Sequence, residues 1–157
     1  MLVSKVAESI IKEGSISLIS QKIRFLIPNI YGIFFCPNLS YVQQSNILEA
    51  SQSIALDFIG AIPIFTMEDG KFSPLTKVNK KNNLLICFDD FIDEFEQPQE
   101  IIAISGNLSK TKEMISLHAH CREQFQSTFF SFQTMNNASA SIIGPKALGV
   151  FVLDKLI

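Results

Sequence analysis

Three short stretches carry the residue types that could do chemistry. The first is His118-Ala119-His120-Cys121, two imidazoles and a thiol that invite a metal. Zinc takes about four ligands in a closed site and about three when one position stays open. On a helix His118 and Cys121 share a side while His120 points elsewhere. No second cluster supplies further ligands, so the pattern predicts a solvated helix face. The second stretch is DDFIDEFE, residues 89–96. Paired carboxylates can serve as general acid and base, but no His or Lys is visibly poised beside these. Their spacing is that of the wet side of an amphipathic helix. The third is KVNKKN, with Lys77, Lys80 and Lys81 at a strand-to-helix junction. Three ammonium groups could greet a phosphate or an acidic partner, yet they are few for an electrostatic footprint. The serines include no G-x-S-x-G elbow, and the glycines form no phosphate loop. With no visible pairing of nucleophile and base, the sequence predicts no catalytic residue and no cofactor.

A fourth stretch, SIIGPKALGVF (141–151), could hold a site or only a bend. Gly144-Pro145 interrupts an apolar run, Lys146 follows, and Gly149 precedes a strand-like tail. The element order supplies the context. Leu2 to Lys12 reads as a helix with Val3, Val6, Ile10 and Ile11 on one inward face, stopped by Gly14. Ser15 caps a second helix to about Ile27, with Ile19, Ile23 and Leu26 inward. Tyr31–Cys36 is a strand. Asn38 caps a short helix through Gln44, and Glu49–Phe58 suggests another. Ala61–Met67 and Phe72–Val78 flank a Glu-Asp-Gly-Lys turn and read as a hairpin, with Pro63 suggesting an edge position. Lys81–Glu96 is the clearest helix, its stripe being Leu84, Phe88, Phe91, Ile92 and Phe95. Glu100–Ser105 is a strand, and Ser109–Phe125 a helix with Met114, Leu117, Cys121 and Phe125 inward. Thr128–Thr134 and Leu148–Asp154 are strands. This predicts an α/β (α+β-like) fold, a six-stranded mixed, mainly antiparallel sheet with flanking helices.

The bulk numbers agree. At 157 residues, with 47% hydrophobic and 18% charged, one domain over residues 1–157 is expected. A chain of this length buries about 68–70% of its unfolded surface. The net charge of −2 argues against nucleic acid or an anionic membrane surface as partner. Three widely spaced cysteines suit a reduced, cytoplasmic compartment. The opening residues lack the features of a signal peptide. The most apolar stretch, residues 23–37, is cut by Pro28, Asn29 and Gly32, so no membrane span is expected; a spanning helix needs about 20 apolar residues. The chain has 14 Phe and no Trp. Phe brings large apolar area without a polar handle. Most of these rings belong to the core, and some could line a cavity for an apolar ligand.

The order of motifs resembles the C-terminal half of the DegV family of bacterial fatty-acid-binding proteins, from about Val3 to Asp154. VAESIIKEGSISLISQKI resembles the family's helix-Gly-helix entry, and NLSYVQQSNIL its Leu-x-Tyr-Leu-like helix. IPIFTMEDGKFSPLTKV resembles its Lys-Pro-Ile-Leu, Asp-Gly and Lys-Val-Arg segments, and IIGPKALGVFV its closing His-Thr-Gly-Pro-Gly-Ala-Leu-Gly. The resemblance implies a non-catalytic carrier. Family members have two α/β domains, with the fatty-acid carboxylate near their interface and the tail in an apolar tunnel, and present the acid to a kinase. Ile47 and Asn79 stand where the family has Arg. Ile142, Ile143 and Lys146 stand at the family's closing His, Thr and Gly. The lipid-binding residues this suggests are Phe34, Phe35, Phe58, Phe65, Phe88, Ile142, Gly144, Pro145 and Lys146. The implied partners are a long-chain fatty acid and a fatty acid kinase or an N-terminal-type partner. The alternative is an assembly or interaction module without lipid, in a homodimer or with such a partner.

Overall fold

The structure, a computed structural model, describes residues 2–13, 15–47, 60–68, 71–78, 82–106 and 111–155. Six strands form one sheet: β1 (Ile30–Phe35), β2 (Ile62–Glu68), β3 (Lys71–Val78), β4 (Glu100–Ser105), β5 (Phe129–Thr134) and β6 (Leu148–Leu153). Their order is β3-β2-β1-β6-β4-β5. All neighbours are antiparallel except β4 and β5. That parallel pair needs a crossover, which a helix supplies. The mixed, mainly antiparallel sheet is the one the sequence predicts.

The described helices are α1 (Leu2–Glu13), α2 (Ile16–Leu26), α3 (Leu39–Gln44), α4 (Asn82–Asp93), α5 (Lys112–Gln124) and α6 (Asn137–Ile143). Side-chain caps set several starts. Asn38 accepts from the Ser40 amide at 3.0 Å, Thr111 from Met114 at 3.3 Å and Asn136 from Ser139 at 2.8 Å. Each satisfies a donor that the first helical turn leaves open. The Thr111 cap places the start of α5 three residues later than the apolar pattern suggests. The helix expected over Glu49–Phe58 lies outside the described residues. Helix α6 was not foreseen, because its seven residues, NASASII, are too few to show a period.

Each strand sends alternate side chains to opposite faces. On one face Ile33, Phe35, Ile64, Ile101, Ala103, Val150 and Val152 pack under α4 and α5 through Leu84, Phe88, Phe91, Ile92, Met114, Leu117 and Cys121. On the other, Phe34 and Phe65 pack with Leu39 and Val42 of α3 and Ile143 of α6. Leu26 of α2 joins Ile30 and Leu153 in a third, smaller cluster.

Two expectations are corrected. Pro63 is not on an edge strand, since β2 lies between β3 and β1. The β1–β2 ladder ends at Phe35↔Ile64, so Pro63 sits one residue past it, where a missing N–H breaks no bond to β1. The inward face expected for α1 is met only in part, with Val6 half-buried. Val3 is 82% exposed and Ile10 55%. Lys5 instead faces the sheet, its Nζ 3.8 Å from Glu100 Oε2, a carboxylate only 13% exposed that needs a counter-charge.

Candidate functional site

The segment between α6 and β6 is a tight turn. Gly144 has φ +94, a conformation that favours glycine, and its N–H closes α6 by donating to the Ala140 carbonyl at 3.0 Å. The Ala147 amide then donates to the Gly144 carbonyl at 3.1 Å. Two close approaches fix the turn against its surroundings. A Cβ at Gly106, just beyond β4, would lie 1.7 Å from the Pro145 carbonyl oxygen. A Cβ at Gly144 would lie 3.1 Å from the Tyr41 ring. The Ser45 hydroxyl donates to the Ile142 carbonyl at 3.4 Å. The turn is thus pinned between the end of β4 and α3.

Between this turn and the start of α3 lies a cleft of about 480 Å³, lined by Pro37–Tyr41 and Gly144–Lys146. Next to it is a second pocket of about 240 Å³, lined by Phe35, Pro37, Leu84, Thr111, Glu113, Lys146 and Leu148. The two share Pro37 and Lys146. A narrow crevice of about 10 Å³ follows, sharing Glu113 and Leu148 with the second pocket and ending among Phe88, Met114, Leu117 and Val150. The cleft and the second pocket thus adjoin at one end of the sheet, and the crevice beneath α4 and α5 is no larger than a water molecule. Lys146 lines both the cleft and the second pocket, and it makes no ion pair with another described residue.

The sequence-derived residues are divided by the sheet. Gly144, Pro145 and Lys146 form the mouth, Phe35 lines the second pocket and Phe88 the crevice. Phe34 and Phe65 lie on the opposite face. There Phe34 packs at 5.1 Å from both Phe72 and Phe151, and Phe65 stacks on Phe72 at 5.1 Å. The Phe34 ring lies over Gly149, where a Cβ would stand 2.6 Å from it. Ile142 is 45% exposed and lines none of these pockets. Phe58 lies outside the described residues. Sequence reasoning missed Ser40, Tyr41, Thr111, Glu113 and Leu148 as lining residues. The caps Asn38 and Thr111 mark where α3 and α5 begin, but only the folded topology brings those starts to the same end of the sheet.

The other chemistry-bearing stretches disperse. The His118 ring packs 4.8 Å from Phe130, His120 Nε2 lies 2.8 Å from Asp93 Oδ1, and Cys121 is buried in the core. Three side chains that diverge in this way cannot share an ion. Burial pushes the Cys36 thiol up to about 12. Burial, then Asp89 and Asp93, do the same for Cys121, also to about 12. Burial, then Asp90, raises Cys87. Thiols held protonated are poor nucleophiles and poor ligands.

Fold and site together define an α/β domain with an amphipathic cleft at one end of its sheet. The chain belongs to the DegV family: a family model described as "Uncharacterised protein, DegV family" matches residues 1–155. No curated protein matches the chain. Solved structures do. A DegV family protein from Eubacterium eligens loaded with heptadecanoic acid is 11% identical with a TM-score of 0.80, over 98% of this chain and 56% of that one. The Streptococcus pneumoniae Fatty Acid Kinase (Fak) B3 protein loaded with linoleic acid is 13% identical with a TM-score of 0.81, over 98% and 55%. DegV, a fatty acid binding protein from Bacillus subtilis, is 19% identical with a TM-score of 0.74, over 96% and 54%. At these identities the likeness establishes the fold. The chain spans about half the length of the solved relatives it matches. Among the described residues no helix is long and apolar enough to cross a membrane.

Proposed function

We propose that this chain acts as a single, non-catalytic lipid-binding domain that holds the acyl chain of a fatty acid. The observation that carries the reading is that Lys146 lines both the cleft at the turn and the adjoining pocket walled by Phe35, Leu84 and Leu148. A carboxylate beside Lys146 finds a cation there, with the polar surface of Ser40 and Tyr41 in the same cleft. The tail lies along Phe35, Leu84 and Leu148 in the second pocket. Each buried CH₂ is worth about 0.8 kcal/mol, so the apolar side chains of that pocket supply affinity and the ammonium supplies orientation. Cys36 and Cys121 remain protonated, which fits a carrier. The relatives named for heptadecanoic and linoleic acid support the ligand class, and the one named for fatty acid kinase supports a kinase as partner.

Native mass spectrometry of the purified protein, repeated after denaturation, tests the reading. One fatty acid released per chain is the expected result. Lys146→Ala should weaken binding of a free fatty acid by about tenfold, or roughly 1.4 kcal/mol, while sparing a fatty alcohol of equal length. A lipid-free protein that also fails to take up added fatty acid removes the carrier reading and leaves the assembly module.

A further inference from the structure

The pocket beside Lys146 is short. Its volume is about 240 Å³. A methylene takes about the room of a water molecule in the liquid, about 30 Å³, so the pocket holds about eight of them. Its inner end is shut. The crevice that follows has only about 10 Å³, against the roughly 10–15 Å³ that one water needs. Phe88 of α4, Met114 and Leu117 of α5 and Val150 of β6 close it, none of them more than 5% exposed. Side chains packed at that density resist an inserted methylene. The outer end differs in kind. There Pro37 and Lys146 lead into the cleft, whose lining includes Asn38 and Ser40. Methylenes laid over those groups would strip their water without pairing them.

We propose that this slot is fitted to a medium-chain acyl group, about eight to ten carbons long, and that Met114 and Leu117 set the limit. The inference rests on the lipid reading above and adds the chain length that the site favours. Up to that length each added methylene leaves water for Phe35, Leu84 and Leu148. Beyond it the next methylene meets the closed crevice or stays in the cleft, and loses little contact with water in the cleft.

The test is isothermal titration of the delipidated protein with saturated fatty acids of even length, hexanoic to hexadecanoic, each below its micelle concentration. Affinity should rise about fourfold per methylene as far as octanoic or decanoic acid and then level off. Met114→Ala opens the crevice and should move the levelling point at least one step up the series. Leu148→Phe, at a half-buried position, fills the pocket and should move it at least one step down; it decides the matter if Met114→Ala does not fold. An unbroken rise to hexadecanoic acid overturns the length limit while leaving the lipid reading intact. So does a levelling point that neither variant moves. Binding of no acid at any length overturns the lipid reading, and the limit with it.

Discussion

At the scale of single residues, charge and ring placement separate into two stories. Asp89 has a buried Oδ1 with no hydrogen-bond partner. Burial raises its carboxyl above the usual value of 3.8; Asp93 and Asp90 raise it too, while His120 pulls it down. Because the folded-state value exceeds the unfolded one, folding favours the protonated form. The contribution to stability is fully present below the ordinary carboxyl range and is lost as pH rises through the raised value. Asp89→Asn should therefore be more stable than the parent at neutral pH, with the gap closing in acid; urea midpoints across pH check this. Phe34 is buried among Phe65, Phe72 and Phe151, so Phe34→Ala should cost about 3–5 kcal/mol in denaturant unfolding. Fatty-acid affinity should hold, since the ring is on the other face. That separation was legible from the strand alone. Adjacent residues in a strand point to opposite faces, so Phe34 and Phe35 could never line one cavity, although both are buried and aromatic.

At the scale of elements, the period of the apolar residues located every described strand and the four longer helices. Chain signals such as Asp69-Gly70 fixed the hairpin. What the sequence could not disclose was orientation. The stripe of α1 is amphipathic in the ordinary way, and nothing within the helix discloses that Lys5 comes to lie against Glu100 of β4. The Gly144-Pro145 turn was legible as a bend, but its anchor, Gly106, lies 39 positions earlier in the chain. Gly106→Ala would drive a methyl into the Pro145 carbonyl, displacing the turn. The expected cost is about 2–3 kcal/mol, read from urea unfolding, with fatty-acid binding weakened because Lys146 moves with the turn. An unchanged midpoint would mean that the turn yields freely.

At the scale of the whole molecule, two separate apolar layers share one sheet. The same six strands supply side chains to both, so neither layer can melt without the other losing its floor. Calorimetry should show one transition with equal calorimetric and van't Hoff enthalpies; two resolved transitions would mean that the layers are independent. The fold was readable at this scale because alternation of strand and helix restricts topology severely. The strand order, with β6 inserted between β1 and β4, was not, since it depends on pairings between distant segments. The contact of Gly106 with Pro145 bears on how such a domain diverges. The path of the turn is set by backbone meeting backbone, not by any side chain of the turn itself. Positions 142 and 146, both exposed, are therefore free to exchange polar groups for aliphatic or basic ones without moving the frame that presents them, whereas Ile143 is held by the core. Descendants of one ancestor can change what the mouth of the cleft selects and still inherit its architecture, so long as the residue at 106 has nothing to add.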